Sequence, residues 1–300
     1  MKHLIHIGFA KTGSSYVQAW LSGHPDIAYT PGGIAGLRDI YALQEGAAWD
    51  RTERRVRATS HEELTSPVPV PVAGLEDSDS PAIVSPCDAQ DAACALLYAL
   101  FPNAHILIVT RGFRGKLLSA YSQEIRSGGM LGFPAFLDRH RRITCWWDYD
   151  HVIGRYEQAF GRDRVLVLPY ELLRDNSAAF ISRIAGVLEV TPGSVLRRQV
   201  NASLSGASLV WYPYLTRYVR RLPLVRGYYR RLVSRDGLAG LAVALQRFRS
   251  LPPPRAEDVP DSLLQTLGQA AECLRDRTEY SDYLADYGLS AKETLRRVPG

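Results

Sequence analysis

Lysine is scarce in this chain of 300 residues, because 32 of its 36 basic residues are arginine. The four lysines are at positions 2, 11, 116 and 292. Lys11 lies in a glycine-containing loop close to the start of the sequence. An ammonium group is compact and rotatable, whereas a guanidinium is a planar fork. In so arginine-rich a chain, a lysine at this position indicates a chemical role for the ammonium.

Cysteine is equally scarce. The four cysteines, Cys87, Cys94, Cys145 and Cys273, show no Cys-x2-Cys pair and no histidine at zinc-ligand spacing. This pattern argues against a disulfide scaffold and against a structural zinc site. We expect free thiols in a reducing compartment.

Long apolar runs are absent as well. No uninterrupted segment reaches the ~20 apolar residues that a membrane-spanning helix needs. The apolar run at the N-terminus breaks at Gly8 and is too short for a secretory signal. We therefore predict a cytoplasmic protein, and the net charge of +5 weakly favours an anionic ligand or surface.

Strand-like and helix-like segments alternate along the chain, which predicts an α/β fold with a P-loop-like central parallel sheet flanked by helices. The predicted strands cover 3–8, 82–85, 105–110 and 164–168. The predicted helices cover 14–21, 89–101, 114–126, 146–160 and 176–188. Segments 64–82 and 251–260 are predicted loops, the second leading to a C-terminal helical pair. We predict a single domain over 1–300, with its core in 1–190 and a mainly helical part in 191–300.

The loop after the first predicted strand has the features of an anion cradle. Backbone N–H groups and the dipole at a helix N-terminus attract negative charge, and glycines permit close approach. Lys11 adds a full charge, and the side chains that follow add hydroxyls: Thr12, Gly13, Ser14 and Ser15. In nucleotide hydrolases the lysine follows the second glycine of the loop. Here Ser14 holds that position, which suggests a different terminal group on the ligand.

A second candidate anion site follows the strand at 105–110. Arg111 would emerge at the carboxyl edge of the sheet, where open α/β sheets bind their ligands. Ser119 comes eight residues later, about two helical turns, on a face close to the start of its helix. Together they suit a separate phosphate. Alternatively, Arg111 pairs with a carboxylate or caps the strand edge, and Ser119 faces solvent.

The chain resembles the sulfotransferases that use 3′-phosphoadenosine 5′-phosphosulfate (PAPS), and among them bacterial members, in two motifs: Gly8-x2-Lys11-Thr12-Gly13-Ser14-Ser15 and Arg111-x7-Ser119. The resemblance covers 1–22 and 82–190. It implies that the first motif binds the 5′-phosphosulfate and the second the 3′-phosphate. It also places Tyr16 against adenine, and Tyr170, in a Tyr-Glu-x-Leu sequence, near the purine. The product would be 3′-phosphoadenosine 5′-phosphate (PAP), with no metal required.

Sulfuryl transfer needs positioning and charge stabilisation more than covalent help. Lys11 would neutralise charge on the leaving phosphate, and a general base would take the proton from the acceptor hydroxyl. Cytosolic members use a histidine, which segment 83–89 lacks. Asp88 is the nearest proton acceptor there, although it needs burial to raise its pKa and could instead cap a helix. His61 and Glu62, with Glu63, are further candidates because heparan-type members supply a glutamate in that region.

The acceptor is expected to be a hydroxyl of a small molecule, a glycan or a lipid. Segment 201–206 resembles an Asn-x-Ser element of bacterial relatives that would help to close over the donor. The basic aromatic run 217–231 would contact an anionic membrane or an acidic glycan, or would simply be a solvated helix face. No nucleic-acid recognition motif is present, and the sequence does not indicate an oligomeric state.

Two other functions remain open from the sequence. A P-loop nucleotide kinase shares the strand, loop and helix, but it would need lysine at position 14 and a magnesium-binding aspartate at a strand end. A non-catalytic protein could also keep the nucleotide-binding fold without the base. Binding of PAP, compared with ATP and magnesium, separates the kinase from the other two.

Overall fold

The computed structural model describes residues 2–31, 54–65, 85–141, 147–193, 204–219 and 223–290. By their contacts the residues form two compact units. The sheet unit comprises Met1–Gly112, Cys145–Val200 and Gly268–Gly300. The helical unit comprises Phe113–Thr144 and Asn201–Leu267. The single domain over 1–300 that the sequence predicts stays a prediction.

Among the described residues, the sheet unit contains five parallel strands in the order β2-β3-β1-β4-β5. They are β1 (Lys2–Gly8), β2 (Ile27–Pro31), β3 (Val56–Ser60), β4 (His105–Thr110) and β5 (Val165–Pro169). The predicted α/β fold with a parallel sheet is therefore confirmed. From β1 the chain runs to β2 at one edge of the sheet and then to β3 beside β1, and it crosses to the other side of β1 at β4. The carboxyl ends of β1 and β4 thus flank the switch point at which such sheets bind ligands.

The helices fall into two groups along the chain. The first part contains α1 (Ser14–Gly23), α2 (Pro86–Leu100), α3 (Phe113–Arg126), α4 (Phe133–His140), α5 (Tyr149–Phe160), α6 (Tyr170–Asp175) and α7 (Ser177–Leu188). The second contains α8 (Gly206–Val219), α9 (Pro223–Ser234), α10 (Ala239–Phe248) and α11 (Asp261–Gly268).

The core of the sheet unit forms where α1 and α7 pack with the strands. Val17 of α1, Val109 of β4 and Phe180 of α7 are fully buried in one cluster. Burial of each such side chain contributes about 1.5–3 kcal/mol. Because this cluster fixes α1 against the sheet, it also fixes the loop that joins β1 to α1.

The strand predictions for 3–8 and 105–110 are confirmed, and that for 164–168 is shifted by one residue. The strand expected over 82–85 lies outside the described residues except for Ser85, which is exposed and is the N-cap of α2. The helix expected from residue 89 begins instead at Pro86, which suits a first helical position. β2 and β3, which are short and contain polar residues, are not predicted from the sequence.

The helical unit is held together partly by buried hydroxyls. Tyr121 Oη donates to the carbonyls of Leu131 and Leu209, at 3.2 and 3.1 Å. Asp236 accepts hydrogen bonds from Ser208 Oγ at 2.8 Å and Tyr212 Oη at 2.6 Å. Within the described ranges, no helix combines the length and apolarity needed to cross a bilayer.

Candidate functional site

The loop between β1 and α1 has three residues with positive φ: Gly8 at 109°, Lys11 at 67° and Gly13 at 87°. Its course is fixed by two hydrogen bonds. Phe9 N–H donates to the carbonyl of Val109 in β4 at 3.1 Å, and Thr12 Oγ1 donates to the carbonyl of Phe9. Thr12 is fully buried, whereas Lys11 is exposed. The loop therefore presents a lysine on a rigid backbone beside β4.

The N-terminus of α1 lacks a side-chain cap. Its N-cap residue is Gly13, whose carbonyl accepts hydrogen bonds from the N–H groups of Tyr16 at 2.8 Å and Val17 at 3.3 Å. Ser14, only 4% exposed, has an Oγ with no hydrogen-bond partner in the protein. A buried polar group without a partner costs about 1–3 kcal/mol. An anion bound at this helix end would satisfy both the hydroxyl and the first N–H groups.

Tyr170 and Arg111 adjoin the same loop. A Cβ placed on Gly13 would lie 2.6 Å from Leu173 Cδ2 and 3.2 Å from the Tyr170 ring, so the loop packs directly on α6. The Arg111 guanidinium lies 4.4 Å from the centre of the Tyr170 ring. Arg111 Nη1 donates to the carbonyl of Lys11 at 2.9 Å, and its Nε is buried without a partner. Lys11, Arg111 and Tyr170 thus form one cluster at the switch point.

Two buried residues hold the segment that carries Arg111. Tyr149 Oη accepts from Arg111 N–H at 3.3 Å and donates to the Arg111 carbonyl at 2.7 Å. Glu171 Oε1 accepts from Gly112 N–H at 3.0 Å, and burial raises the pKa of this carboxyl. The second oxygen, Oε2, accepts from Tyr287 Oη at 3.1 Å. Tyr149 and Glu171 are buried, so they orient Arg111 without contacting a ligand themselves.

Sequence reasoning missed the supporting roles of Tyr149, Tyr280 and Tyr287. Tyr280 Oη and Tyr287 Oη both lie 2.8 Å from Thr110 Oγ1, at the end of β4. Of the residues that support Arg111, only Glu171 had a local sequence signal, because it follows Tyr170 in the Tyr-Glu-x-Leu sequence. The tyrosines are distant along the chain, and no spacing rule links them to Arg111.

The candidate bases His61 and Glu62 lie beside the start of the loop. His61 is buried directly after β3, and its N–H donates to the carbonyl of His6 at 2.8 Å. The carbonyl oxygen of Glu62 lies 2.5 Å from where a Cβ on Gly8 would be. The turn at Glu62–Thr65 therefore packs closely on the loop. The turn lies close to the loop because β1 pairs in parallel with β3, which brings the carboxyl ends of the two strands together.

Asp88 occupies a different environment. It is exposed in the first turn of α2, and its N–H donates to Ser85 Oγ at 3.1 Å. Ser85, and not Asp88, is thus the N-cap residue of this helix. The burial that a catalytic role for Asp88 would require is not present.

The remaining predicted ligand residues are placed as follows. Ser15 is half-buried in the first turn of α1. Tyr16 packs partly buried against the core cluster, and its hydroxyl has no partner in the protein. Ser119 is half-buried in α3 of the helical unit, and its convergence with Arg111 stays a prediction. Residues 201–203 of the Asn-x-Ser element lie outside the described residues.

Two further features bear on ligand chemistry. The helical unit has a cavity of about 540 Å³ bordered by apolar groups such as Phe133, Pro213 and Pro252, and none of the predicted site residues lines it. In the part of the chain that the structure describes, no group of three or more His, Cys, Asp or Glu could hold a metal ion. None of the described cysteines, Cys87, Cys94 and Cys273, forms a disulfide.

Solved structures that are similar to this chain include two sulfotransferases. The sulfotransferase from Alicyclobacillus acidocaldarius is 19% identical with a TM-score of 0.48, over 76% of this chain and 96% of that one. Mouse sulfotransferase SULT7A1, complexed with PAP, is 11% identical with a TM-score of 0.41, over 72% of this chain and 64% of that one. No family model and no curated protein sequence matches the chain. At these identities and TM-scores, function has to be argued from the chain's own residues.

Proposed function

We propose that the protein is a sulfotransferase that moves a sulfuryl group from PAPS to a hydroxyl group and releases PAP. The observation that carries this proposal is the uncapped N-terminus of α1, with the buried, unpartnered Ser14 Oγ and with Lys11 and Arg111 beside it. The two cationic residues lie in the segments that follow the adjacent strands β1 and β4, at the switch point. Such a site suits a ligand that carries two separated anionic groups.

Each residue of the cluster has a role in this proposal. The N–H groups and hydroxyls from Thr12 to Ser15 would bind the 5′-phosphate, and Arg111, with Ser119, the 3′-phosphate. PAPS supplies an activated sulfuryl group whose leaving group is a phosphate. The Lys11 ammonium would stabilise the negative charge that grows there during transfer. Tyr170 and Tyr16 offer aromatic faces for the adenine.

For the general base we propose His61 or Glu62, because His61 immediately precedes, and Glu62 begins, the turn that packs on the loop. Asp88 is the third candidate, disfavoured by its exposure. The base would remove the proton of an acceptor hydroxyl on a small molecule, a glycan or a lipid. We propose that the reaction uses no metal, takes place in the cytoplasm and involves no nucleic acid.

Donor binding is tested by thermal-shift titration. At a concentration of about 100 times its Kd, PAP should stabilise the protein by about 2.7 kcal/mol, whereas ATP with magnesium should have little effect. Stabilisation by ATP and magnesium without a PAP response would instead assign the site to a nucleotide kinase.

Transfer is tested with labelled PAPS and a panel of hydroxyl acceptors, with EDTA present. Lys11→Ala should abolish transfer and leave the fold intact. Lys2→Ala is the matched control, because Lys2 lies at the start of β1, where its ammonium donates to the Val187 carbonyl and pairs with Glu189. Normal transfer by Lys11→Ala would refute the mechanism, and loss of transfer in EDTA would refute its metal independence. PAP binding without transfer to any acceptor would favour a non-catalytic protein.

The base is identified from pH–rate profiles of His61→Gln, Glu62→Gln and Asp88→Asn. The variant of the true base should lose the acid limb of the profile and most of the rate, because an amide cannot accept the proton. PAP affinity should be unchanged in that variant. An unaltered profile in the first two variants would exclude the turn after β3 as the source of the base.

A further inference from the structure

The positive charge of the chain is concentrated in one segment. Residues 204–250 contain nine arginines and no lysine, and their one acidic residue is Asp236. The segment therefore carries +8 of a chain whose net charge is +5, so the remainder carries −3. The Asp236 carboxylate accepts hydrogen bonds from the hydroxyl groups of Ser208 and Tyr212. The five arginines of this segment whose side chains the structure describes are all exposed: Arg217, Arg231, Arg235, Arg247 and Arg249.

The same segment exposes large apolar side chains. Phe248 at the end of α10 is 93% exposed, Tyr218 is 70% exposed and Tyr228 is 69% exposed. Leu241 of α10 is 46% exposed. Of the large hydrophobic residues that are exposed in the described ranges, only Tyr98 belongs to the sheet unit. Large exposed apolar side chains are thus concentrated in the helical unit, as is typical of a unit that carries an interaction surface.

The apolar side of helix α10 is exposed to solvent. Leu241, Ala244 and Phe248 are exposed at positions i, i+3 and i+7, so they lie on one side of the helix, and Arg247 is exposed next to them. The buried side of the helix holds the small residue Ala242. A surface helix in a globular protein normally buries its larger apolar groups. A partner for this side of α10 would have to offer both apolar groups and negative charge.

We propose that the helical unit binds the surface of an anionic lipid bilayer, with the Leu241–Phe248 side of α10 entering the headgroup region and the arginines contacting lipid phosphates. Aromatic residues prefer the membrane interface, and arginines near an anionic surface add attraction. A nucleic acid would match the arginines but leave Phe248 and Leu241 in water. The negative remainder of the chain would be repelled by the same surface, which favours contact through this unit. The proposal is independent of the sulfotransferase assignment.

The test is sedimentation of the full chain with vesicles. One set contains phosphatidylcholine alone, and the other an equal mixture of phosphatidylcholine and phosphatidylglycerol, each at low and high salt. The protein should sediment with the anionic vesicles, less so at high salt, and not with the neutral ones. Phe248→Ser should reduce binding about tenfold, and Arg247→Gln about fivefold. Both residues are exposed, so the variants should fold normally, which circular dichroism checks.

Matched controls come from the sheet unit. Tyr98→Ser removes another exposed aromatic residue, and Arg162→Gln another exposed arginine, and neither should alter binding. Failure to sediment with anionic vesicles would overturn the proposal, as would equal losses in the controls. Binding that is unaffected by Phe248→Ser would overturn entry of α10 into the headgroup region. Binding of duplex DNA, with vesicle binding absent, would assign the surface to nucleic acid instead.

Discussion

Replacement of Gly13 by alanine should damage the candidate site for two separate reasons. Its φ of 87° is in the left-handed region, where a side chain costs about 1–2 kcal/mol. The new Cβ would also lie 2.6 Å from Leu173 Cδ2, and overpacking of this kind costs about 1–3 kcal/mol. We therefore expect the free energy of unfolding to fall by about 2–5 kcal/mol.

The measurement is urea unfolding, followed by calorimetric titration with PAP on the folded variant. PAP affinity should fall at least tenfold, because the displaced backbone carries the N–H groups that would bind the phosphate. Gly186→Ala in α7 is the control, since a Cβ there meets nothing within 4 Å. In a helix interior that change should stabilise the protein by about 0.5–1 kcal/mol.

A double mutant separates strain from collision. Leu173→Ala alone should cost about 2–5 kcal/mol, because Leu173 is buried in the core cluster. The double variant should lose about 1–3 kcal/mol less unfolding free energy than the two single variants added together. The reason is that the Leu173 side chain, with which the new Cβ would collide, is then absent. Strict additivity would show that Leu173 does not confine the loop. Wild-type stability and PAP affinity in Gly13→Ala would refute the role of this glycine altogether.

Three further predictions concern buried groups of the sheet unit. The pKa of Glu171 is raised by burial, so its contribution to stability is present below its ordinary pKa of 4.5 and is lost as the pH rises through the folded pKa. Glu171→Gln should remove that slope in urea unfolding measured across pH, and a slope that persists would implicate another group. Burial lowers the pKa of His6 to about 4, so stability present above its ordinary pKa of 6.5 is lost as the pH falls from there to about 4. In acid unfolding followed by circular dichroism, His6→Gln should remove this loss, on the order of 3 kcal/mol, and leave the separate loss from His3, whose pKa burial also lowers to about 4. Tyr149→Phe removes both hydrogen bonds to the Arg111 backbone, so PAP affinity measured by calorimetry should fall severalfold, and unchanged affinity would contradict the positioning role.

The elements predicted correctly from the sequence are those whose signals are local. β1 and β4 are continuous apolar runs, as expected of strands buried on both faces. β2 and β3 escaped prediction because Tyr29, Arg57 and Thr59 interrupt their apolar character. Their positions depend on the pairing of β3 with β1 and of β2 with β3, which are long-range interactions. The strand that was expected over 82–85 rested on a short apolar run that a polar N-cap, Ser85, terminates.

The sequence by itself determined the phosphate-type loop, because Gly8, Lys11, Gly13 and Ser14 act through backbone conformation and spacing over a few residues. It also placed Arg111 at the end of a buried strand. Only the tertiary structure decided which side chains support that arginine and which candidate bases adjoin the loop. Tyr149 and Glu171 reach Arg111 and Gly112 across the fold, and the turn after β3 meets Gly8 because parallel strands bring their carboxyl ends together. Such contacts depend on packing between distant segments, which no local pattern encodes.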